Sequence, residues 1–148
     1  MKGMKASDSS IVVEQHFPQS PNAVWKAITD IDEMKKWYFD VIPEFTPKIG
    51  AETTFSVSVG DRNFVHHWIV TNVLPGEKIT YMWHFDHYAG KSDTEFLIMP
   101  SGTGCILRLT ATVYEDFPDD IAEYTPETCR GGWKYFITEA LPKYFGNA

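Results

Sequence analysis

Alternation of apolar and polar residues runs through the middle of the chain. Five stretches show it, each bounded by turn residues: 52–59, 63–74, 78–85, 94–99 and 105–114. A period of two is typical of strands that present one face to a core, and Pro75-Gly76 is a strong turn signal. The short spacing predicts antiparallel neighbours joined by hairpins, with a loop over residues 86–93.

Helical signals lie on both sides of this region. Residues 11–17 are rich in β-branched side chains and predict a first strand. Ser20 before Pro21 is a typical start of a helix, and Asp30 followed by Glu33 indicates the start of a second short one. After Thr125, apolar residues recur at steps of three and four and predict a long amphipathic helix: Cys129, Trp133, Phe136, Ile137, Ala140, Leu141, Tyr144 and Phe145. Pro142 is expected to kink or fray its last turn.

This order of elements predicts an α+β fold. Two short helices follow the first strand, a meander of strands comes next, and the long helix needs an apolar surface to cover it. We expect a helix-grip arrangement, in which a curved antiparallel sheet wraps around the C-terminal helix. Residues 1–9 are expected to be a disordered lead-in and residues 10–148 a single domain.

Composition narrows the classes of partner. The formal charge is −7, which disfavours nucleic acid and anionic membrane surfaces. Apolar runs are too short for a signal peptide or a membrane span, and two cysteines give neither a disulfide framework nor a metal-binding CxxC motif. We therefore expect a cytoplasmic protein without a cofactor. Aromatic residues make up 15% of the chain, which fits a thick core or a cavity lined by rings.

The pair His66-His67 is the most conspicuous candidate for chemistry. Neighbours on a strand point to opposite faces, so a metal site built from both is excluded by geometry. His66 is predicted to face the interior with Trp68, and His67 to face outward, where His84 on the next strand approaches it. His66 is a candidate ligand-orienting group or general base, or else a buried histidine bonded to Tyr81, Tyr114 or the backbone.

The apolar faces of the predicted elements converge on one interior space. Rings and one imidazole there suit a pocket for a small apolar ligand, although the same rings could fill the space as core. The candidate ligand-contacting residues are Trp37, His66, Trp68, Tyr81, Trp83, Phe96, Leu109, Trp133 and Phe136. The acidic stretch 115–123 is expected to be a solvated loop near the mouth of such a pocket, and no metal site is predicted.

Three stretches resemble a known family. SPNAVWKAITDIDEMKKWY (20–38) resembles the opening helices of the START-like, or SRPBCC, superfamily, and within it the branch named for the activator of heat-shock-protein-90 ATPase. VLPGEKITYMW (73–83) is similar to that branch's strand–turn–strand element, and GGWKYFITEALPKYF (131–145) to its C-terminal helix. The resemblance implies a helix-grip fold with a cavity between sheet and helix.

The resemblance also implies a range of functions. Members bind lipids, sterols, polyketides or other apolar molecules, and a minority catalyse cyclisation or hydration. The leading prediction is binding of a small apolar or aromatic molecule. One alternative is a protein-interaction module of the ATPase-activator type, with a protein partner or homodimer formed through the outer sheet face at His67, Met82 and His84. The other is a cyclase- or hydratase-like enzyme with His66 as base.

Overall fold

A six-stranded antiparallel sheet forms the body of the molecule in the computed structural model, which describes residues 1–147. Its spatial order is β1-β6-β5-β4-β3-β2. The strands are β1 (Ile11–Phe17), β2 (Glu52–Val59), β3 (Arg62–Leu74), β4 (Lys78–Phe85), β5 (Tyr88–Ser101) and β6 (Gly104–Glu115). The predicted curved antiparallel sheet is confirmed, and β1 closes one edge by pairing with β6.

The predicted loop 86–93 is wrong. A tight turn at Asp86 and His87 is followed at once by β5, which begins at Tyr88. His87 has a φ of 66°, which lets the chain reverse within two residues. The pattern hid this strand because its inward positions carry small residues, among them Gly90. A Cβ at Gly90 would lie 2.3 Å from the ring of Phe117, so the strand and that ring approach more closely than a side chain allows.

Two short helices follow β1 as predicted. Helix α1 spans Pro21–Thr29, and the Ser20 side chain accepts a hydrogen bond from the Ala23 N–H at its start. Helix α2 spans Ile31–Trp37, and Asp30 caps it. The Trp37 indole N–H donates to the Ala27 carbonyl at 2.7 Å and ties the two helices together. Neither helix has the length to be stable alone, so this mutual packing and the sheet beneath them maintain both.

The C-terminal helix begins at Pro126 and runs without a break to Tyr144. It consists of α3 (Pro126–Tyr135), a five-residue π-helical turn (Phe136–Ala140) and α4 (Leu141–Tyr144). Near Pro142, where a kink or a frayed turn is expected, the helix contains this wide turn, which ends at Ala140, two residues before the proline. Proline lacks an N–H and crowds the carbonyl four residues earlier, and a π turn is a common way to relieve both. The stripe of Trp133, Ile137 and Leu141 is buried against the sheet.

Residues 1–9, which the sequence predicts to be disordered, lie against the acidic segment 116–125. We call residues 1–9 the N-terminal strap. Met4 exchanges two backbone hydrogen bonds of 2.8 Å, donating to the Tyr124 carbonyl and accepting from the Phe117 N–H. Carboxylates of the acidic segment receive the N–H groups of Gly3 and Ala6. The acidic segment 116–125 therefore holds the N-terminal strap in place instead of only facing solvent. Within residues 1–147, no helix is both long enough and apolar enough to cross a bilayer.

Candidate functional site

One half of the concave sheet face is filled by rings. Tyr38, which follows α2, stacks on Trp68 with centroids 5.4 Å apart, and Trp68 lies 4.9 Å from Tyr81. We call the following five side chains the aromatic core; each is at most 8% exposed: Trp37, Tyr38, Trp68, Tyr81 and Phe96. These rings contact one another closely and fill this part of the interior.

Polar atoms inside the aromatic core are nearly all enclosed. The hydroxyls of Tyr38 and Tyr81 bond to each other at 3.2 Å. Burial raises the pKa of both phenols, so both stay protonated over the whole physiological range. The Trp68 indole N–H has no partner within residues 1–147. This half of the interior is therefore a neutral, tightly packed wall.

The other half of the same face is hollow. A cavity of about 480 Å³ lies between the sheet, the first turns of the C-terminal helix and the N-terminal strap. Its wall is mainly apolar, with contributions from strands, helix, acidic segment and strap: Met4, Ile11, Val57, Phe64, Trp83, Phe85, Val113, Phe117 and Trp133. Its volume falls within the range of roughly 300–1,000 Å³ that small-molecule sites occupy.

His66 is a buried titratable side chain of this wall. Its Nδ1 lies 3.0 Å from the Phe64 carbonyl oxygen, which can only accept a hydrogen bond. Desolvation by burial lowers the pKa of His66 from 6.5 to about 4, so the ring is neutral at pH 7. The proton therefore sits on Nδ1, and Nε2 carries a lone pair. That nitrogen makes no hydrogen bond within residues 1–147, and His66 is one of the residues that line the cavity.

Neighbouring rings fix the orientation of this imidazole. Phe55 stacks on it with centroids 4.7 Å apart, and Phe85 meets it edge-on at 4.6 Å. Trp83 adds a third ring at 5.6 Å. The backbone bond at Nδ1 and the rings on several sides leave the imidazole one orientation, with Nε2 as its free polar atom.

Other polar groups near the cavity differ in accessibility. Thr94 on β5 lines it, is 1% exposed, and its hydroxyl makes no hydrogen bond within residues 1–147. The indole N–H of Trp83 and the hydroxyl of Tyr124 are unpaired as well, but they are sealed from water. Burial raises the pKa of Tyr124 above its ordinary value. His66, Thr94 and Ser92 therefore bring polar side chains to the cavity, whereas the Trp83 N–H and the Tyr124 hydroxyl are buried behind its surface.

Acidic side chains dominate the mouth. Asp8, Glu123 and Glu127 line it together with Arg130, the one Lys or Arg side chain among the lining residues of the described range 1–147. Glu123 also holds Arg62 at 3.2 Å. The charged groups stay at the rim, while the deeper wall is neutral.

The structure separates the nine predicted ligand-contacting residues into two groups. His66, Trp83 and Trp133 line the cavity. The remaining six lie in packed interior away from it: Trp37, Trp68, Tyr81, Phe96, Leu109 and Phe136. The sequence interpretation missed Met4, Phe117 and Tyr124, because it treated the strap and the acidic stretch as solvated. The apolar residues at positions 117, 121 and 124 within an acidic run were the available signal.

His67 and His84 face outward and pair across β3 and β4, as predicted. Their rings stack at 4.7 Å, and His67 Nε2 lies 2.7 Å from an Asp86 carboxylate oxygen. Within residues 1–147 no three His, Cys, Asp or Glu side chains are grouped in a way that would hold a metal ion.

Several solved structures resemble this protein in fold. The Mll3558 protein from Rhizobium loti is 22% identical, with a TM-score of 0.76 over 92% of this chain and 96% of that chain. CV1439 from Chromobacterium violaceum is 20% identical, with a TM-score of 0.73 over 90% and 94%. The Aha1 dimer from Colwellia psychrerythraea is 15% identical, with a TM-score of 0.68 over 95% and 100%. At these identities the likeness is one of fold. A search of curated proteins finds no match.

A family model provides the sequence link. The model described as activator of Hsp90 ATPase homolog 1-like protein matches residues 18–146, which is most of the chain. Membership supports a ligand-binding or interaction module. The match agrees with the helix-grip architecture and with the opening and closing motifs of the sequence, and the chain therefore belongs to the activator of Hsp90 ATPase homolog 1-like protein family.

Proposed function

We propose that this protein binds a small, mostly apolar molecule in the cavity between the sheet and the C-terminal helix. The observation that carries the proposal is the cavity itself, about 480 Å³ of space beside a core that is otherwise packed. Protein interiors rarely leave so much space without a use, since empty apolar volume forfeits dispersion contacts and destabilises the fold. A ligand would restore those contacts.

The chemistry of the wall supports the same proposal. Small-molecule sites are mostly apolar with a few polar groups that fix orientation. Trp83, Phe64 and Trp133 supply flat apolar surface, and His66 with Thr94 supplies the polar atoms. The charged side chains Asp8, Glu123, Glu127 and Arg130 complete the lining.

An enzymatic role with His66 as base receives less support. A general base works best when its pKa lies near the working pH. A pKa of about 4 makes His66 a weak base at pH 7, although it remains a good hydrogen-bond acceptor. The same nitrogen therefore suits recognition better than proton abstraction.

A protein-interaction role through the outer sheet face also receives less support. Large exposed apolar side chains are spread over separate elements, including Val12 on β1, Leu74 on β3 and Tyr135 on α3. Interaction surfaces usually gather such residues into one patch. The dimer described for the Colwellia protein keeps a homodimer as a second candidate, which the elution volume in size-exclusion chromatography would reveal.

A fluorescent probe tests the binding proposal. N-phenyl-1-naphthylamine is neutral, aromatic and bright only in apolar surroundings, so titration should give saturable binding at one site. Ala111→Phe would place a ring into the cavity from β6 and should weaken binding about tenfold or more. Thr110→Phe is the matched control, because the neighbouring residue faces the other side of the sheet. Equal affinity in both variants, or no saturable binding, would contradict the proposal.

A further inference from the structure

We infer that the cavity selects a neutral, flat ligand that donates a hydrogen bond from O–H or N–H to Nε2 of His66. The inference rests on the proposed function and assigns the chemical class of its ligand: phenols, azoles and aromatic amides rather than carboxylates or simple hydrocarbons. It depends on three features of the described residues: the hydrogen bond that occupies Nδ1 of His66, the burial of His66 among aromatic rings, and the charges of the side chains that line the cavity.

The first feature makes His66 an acceptor. The Phe64 carbonyl oxygen accepts a hydrogen bond from the Nδ1–H group, with 3.0 Å between nitrogen and oxygen, and a carbonyl cannot donate in return. With its pKa held at about 4 by burial, the ring carries no second proton at pH 7. Nε2 can therefore accept a hydrogen bond but cannot donate one.

The second feature makes that acceptor selective. His66 lines the cavity and is only 7% exposed, so a ligand seated there would shield Nε2 from water. A ligand with a donor satisfies that lone pair, while a ligand without one leaves it desolvated. Sites of this kind reject the analogue that lacks the matching hydrogen. The rings of Phe55 and Phe85 prevent the imidazole from turning away to avoid the mismatch.

The third feature concerns charge. Within residues 1–147 the wall below the rim carries no Lys or Arg to pair with an anion, and Arg130 lines the mouth together with Asp8, Glu123 and Glu127. An anionic ligand would meet net negative charge on entry and no counter-charge inside. An ammonium ion would pass the rim but would find no carboxylate in the deeper wall. Neutral molecules avoid both costs.

A series on one ring skeleton tests the inference at pH 7. The compounds are 2-naphthol as neutral donor, 2-methoxynaphthalene without a donor, 2-naphthoate as anion and 2-naphthylmethylamine as cation. Affinity is measured by displacement of N-phenyl-1-naphthylamine. We expect 2-naphthol to bind about tenfold tighter than 2-methoxynaphthalene, with both charged compounds weaker than 2-naphthol.

Variants assign the effect to one atom. His66→Phe keeps a flat ring among flat rings and should reduce the preference for 2-naphthol over 2-methoxynaphthalene to about onefold, while the binding of 2-methoxynaphthalene persists. Thr94→Val removes another hydroxyl that lines the cavity, and it should change the affinity for both compounds by a similar factor and leave their ratio intact. His66→Leu is a second variant should the phenylalanine disturb the fold, which circular dichroism would reveal.

The possible failures are distinct. If neither the probe nor any compound binds the wild type, the proposed function itself fails. If the probe binds but 2-naphthol and 2-methoxynaphthalene bind equally, the cavity is a site without the inferred selectivity. A preference that survives in His66→Phe and disappears in Thr94→Val would assign the acceptor to Thr94, and tighter binding of 2-naphthoate would overturn the neutral class.

Discussion

The aromatic core and the cavity are two halves of one sheet face, yet one is filled and the other is hollow. Trp68 and Trp83 are direct partners across β3 and β4, and their ring centroids lie 5.2 Å apart. Trp68 is 1% exposed and lies in the filled half, whereas Trp83 is only partly buried and borders the hollow one. The strands beneath are alike, so the covering elements make the difference.

The two covers differ in how they pack. Over the aromatic core, α2 brings Trp37 and Tyr38 down onto the sheet. Over the cavity, the strap and the segment 116–125 are joined mainly by backbone and carboxylate hydrogen bonds. A cover held by its own polar bonds does not need to fill the space below it. The sheet and its cover therefore leave a cavity on the side of the strap.

Replacing Trp68 or Trp83 by alanine should show the difference in packing between the two halves most clearly. Trp68→Ala should lower the free energy of unfolding by about 3–5 kcal/mol, as truncation of a fully packed tryptophan does. Trp83→Ala should cost less, because one side of its ring has no packed neighbours to lose. Urea denaturation of both variants gives the comparison. Equal losses would mean that the cavity wall is as tightly packed as the aromatic core.

The second largest effect should come from His66, which makes the free energy of unfolding depend on pH. The folded-state pKa of His66, about 4, lies below its unfolded value near 6.5, so the unfolded chain binds this proton first. Its contribution to stability is complete above pH 6.5 and is lost as the pH falls towards 4, by roughly 3 kcal/mol at most.

The comparison requires unfolding free energies at pH 7 and pH 4.5 for wild type and His66→Phe. The variant should lose less stability over this interval, because all other titrating groups are common to both proteins. Identical pH slopes would indicate that His66 is not desolvated in the folded state.

Loosening the strap should affect the hollow half alone. A Cβ at Gly3 would lie 2.1 Å from the Pro118 carbonyl oxygen, so Gly3→Ala must displace the strap from segment 116–125. We expect a loss of about 1–3 kcal/mol and faster hydrogen exchange at the Met4 and Phe117 amides. Ala6→Ser, at an exposed position of the same strap, is the control. Unchanged exchange in Gly3→Ala would show that the strap does not depend on this close approach.

The smallest expected effect concerns the hydroxyl pair of the aromatic core. Tyr38→Phe and Tyr81→Phe should each cost about 1 kcal/mol, because each leaves the other hydroxyl unpaired. The double variant should cost less than the sum, and chemical denaturation of all four proteins measures this coupling. Additive losses would contradict the bond at 3.2 Å.

Much of the fold follows from the spacing at which apolar residues recur along the sequence. Alternation placed His66 inward and His67 outward, and it identified the stripe on the C-terminal helix. These predictions succeed because a strand that packs on one face must repeat every two residues. Start signals at Ser20, Asp30 and Thr125 also appear as caps in the structure.

The alternation of apolar and polar residues could not predict which half of the sheet face is filled and which is hollow. Trp68 and Trp83 have the same periodicity, and only the covering chain decides which of them is enclosed. The strap was unpredictable for a similar reason, since its stability comes from carboxylates more than a hundred residues away, such as Asp119 for Gly3. Local sequence does not encode partners at that separation.

The contact between Gly90 and Phe117 has a consequence for the whole family. Two constraints act on position 90: its φ of 115° disfavours every residue except glycine, and a Cβ there would meet the Phe117 ring. Glycine should therefore recur at this position in relatives that keep the turn into β5. Phe117 also forms part of the cavity wall, so the absence of a side chain at 90 is what lets this ring lie against the strand and shape the pocket.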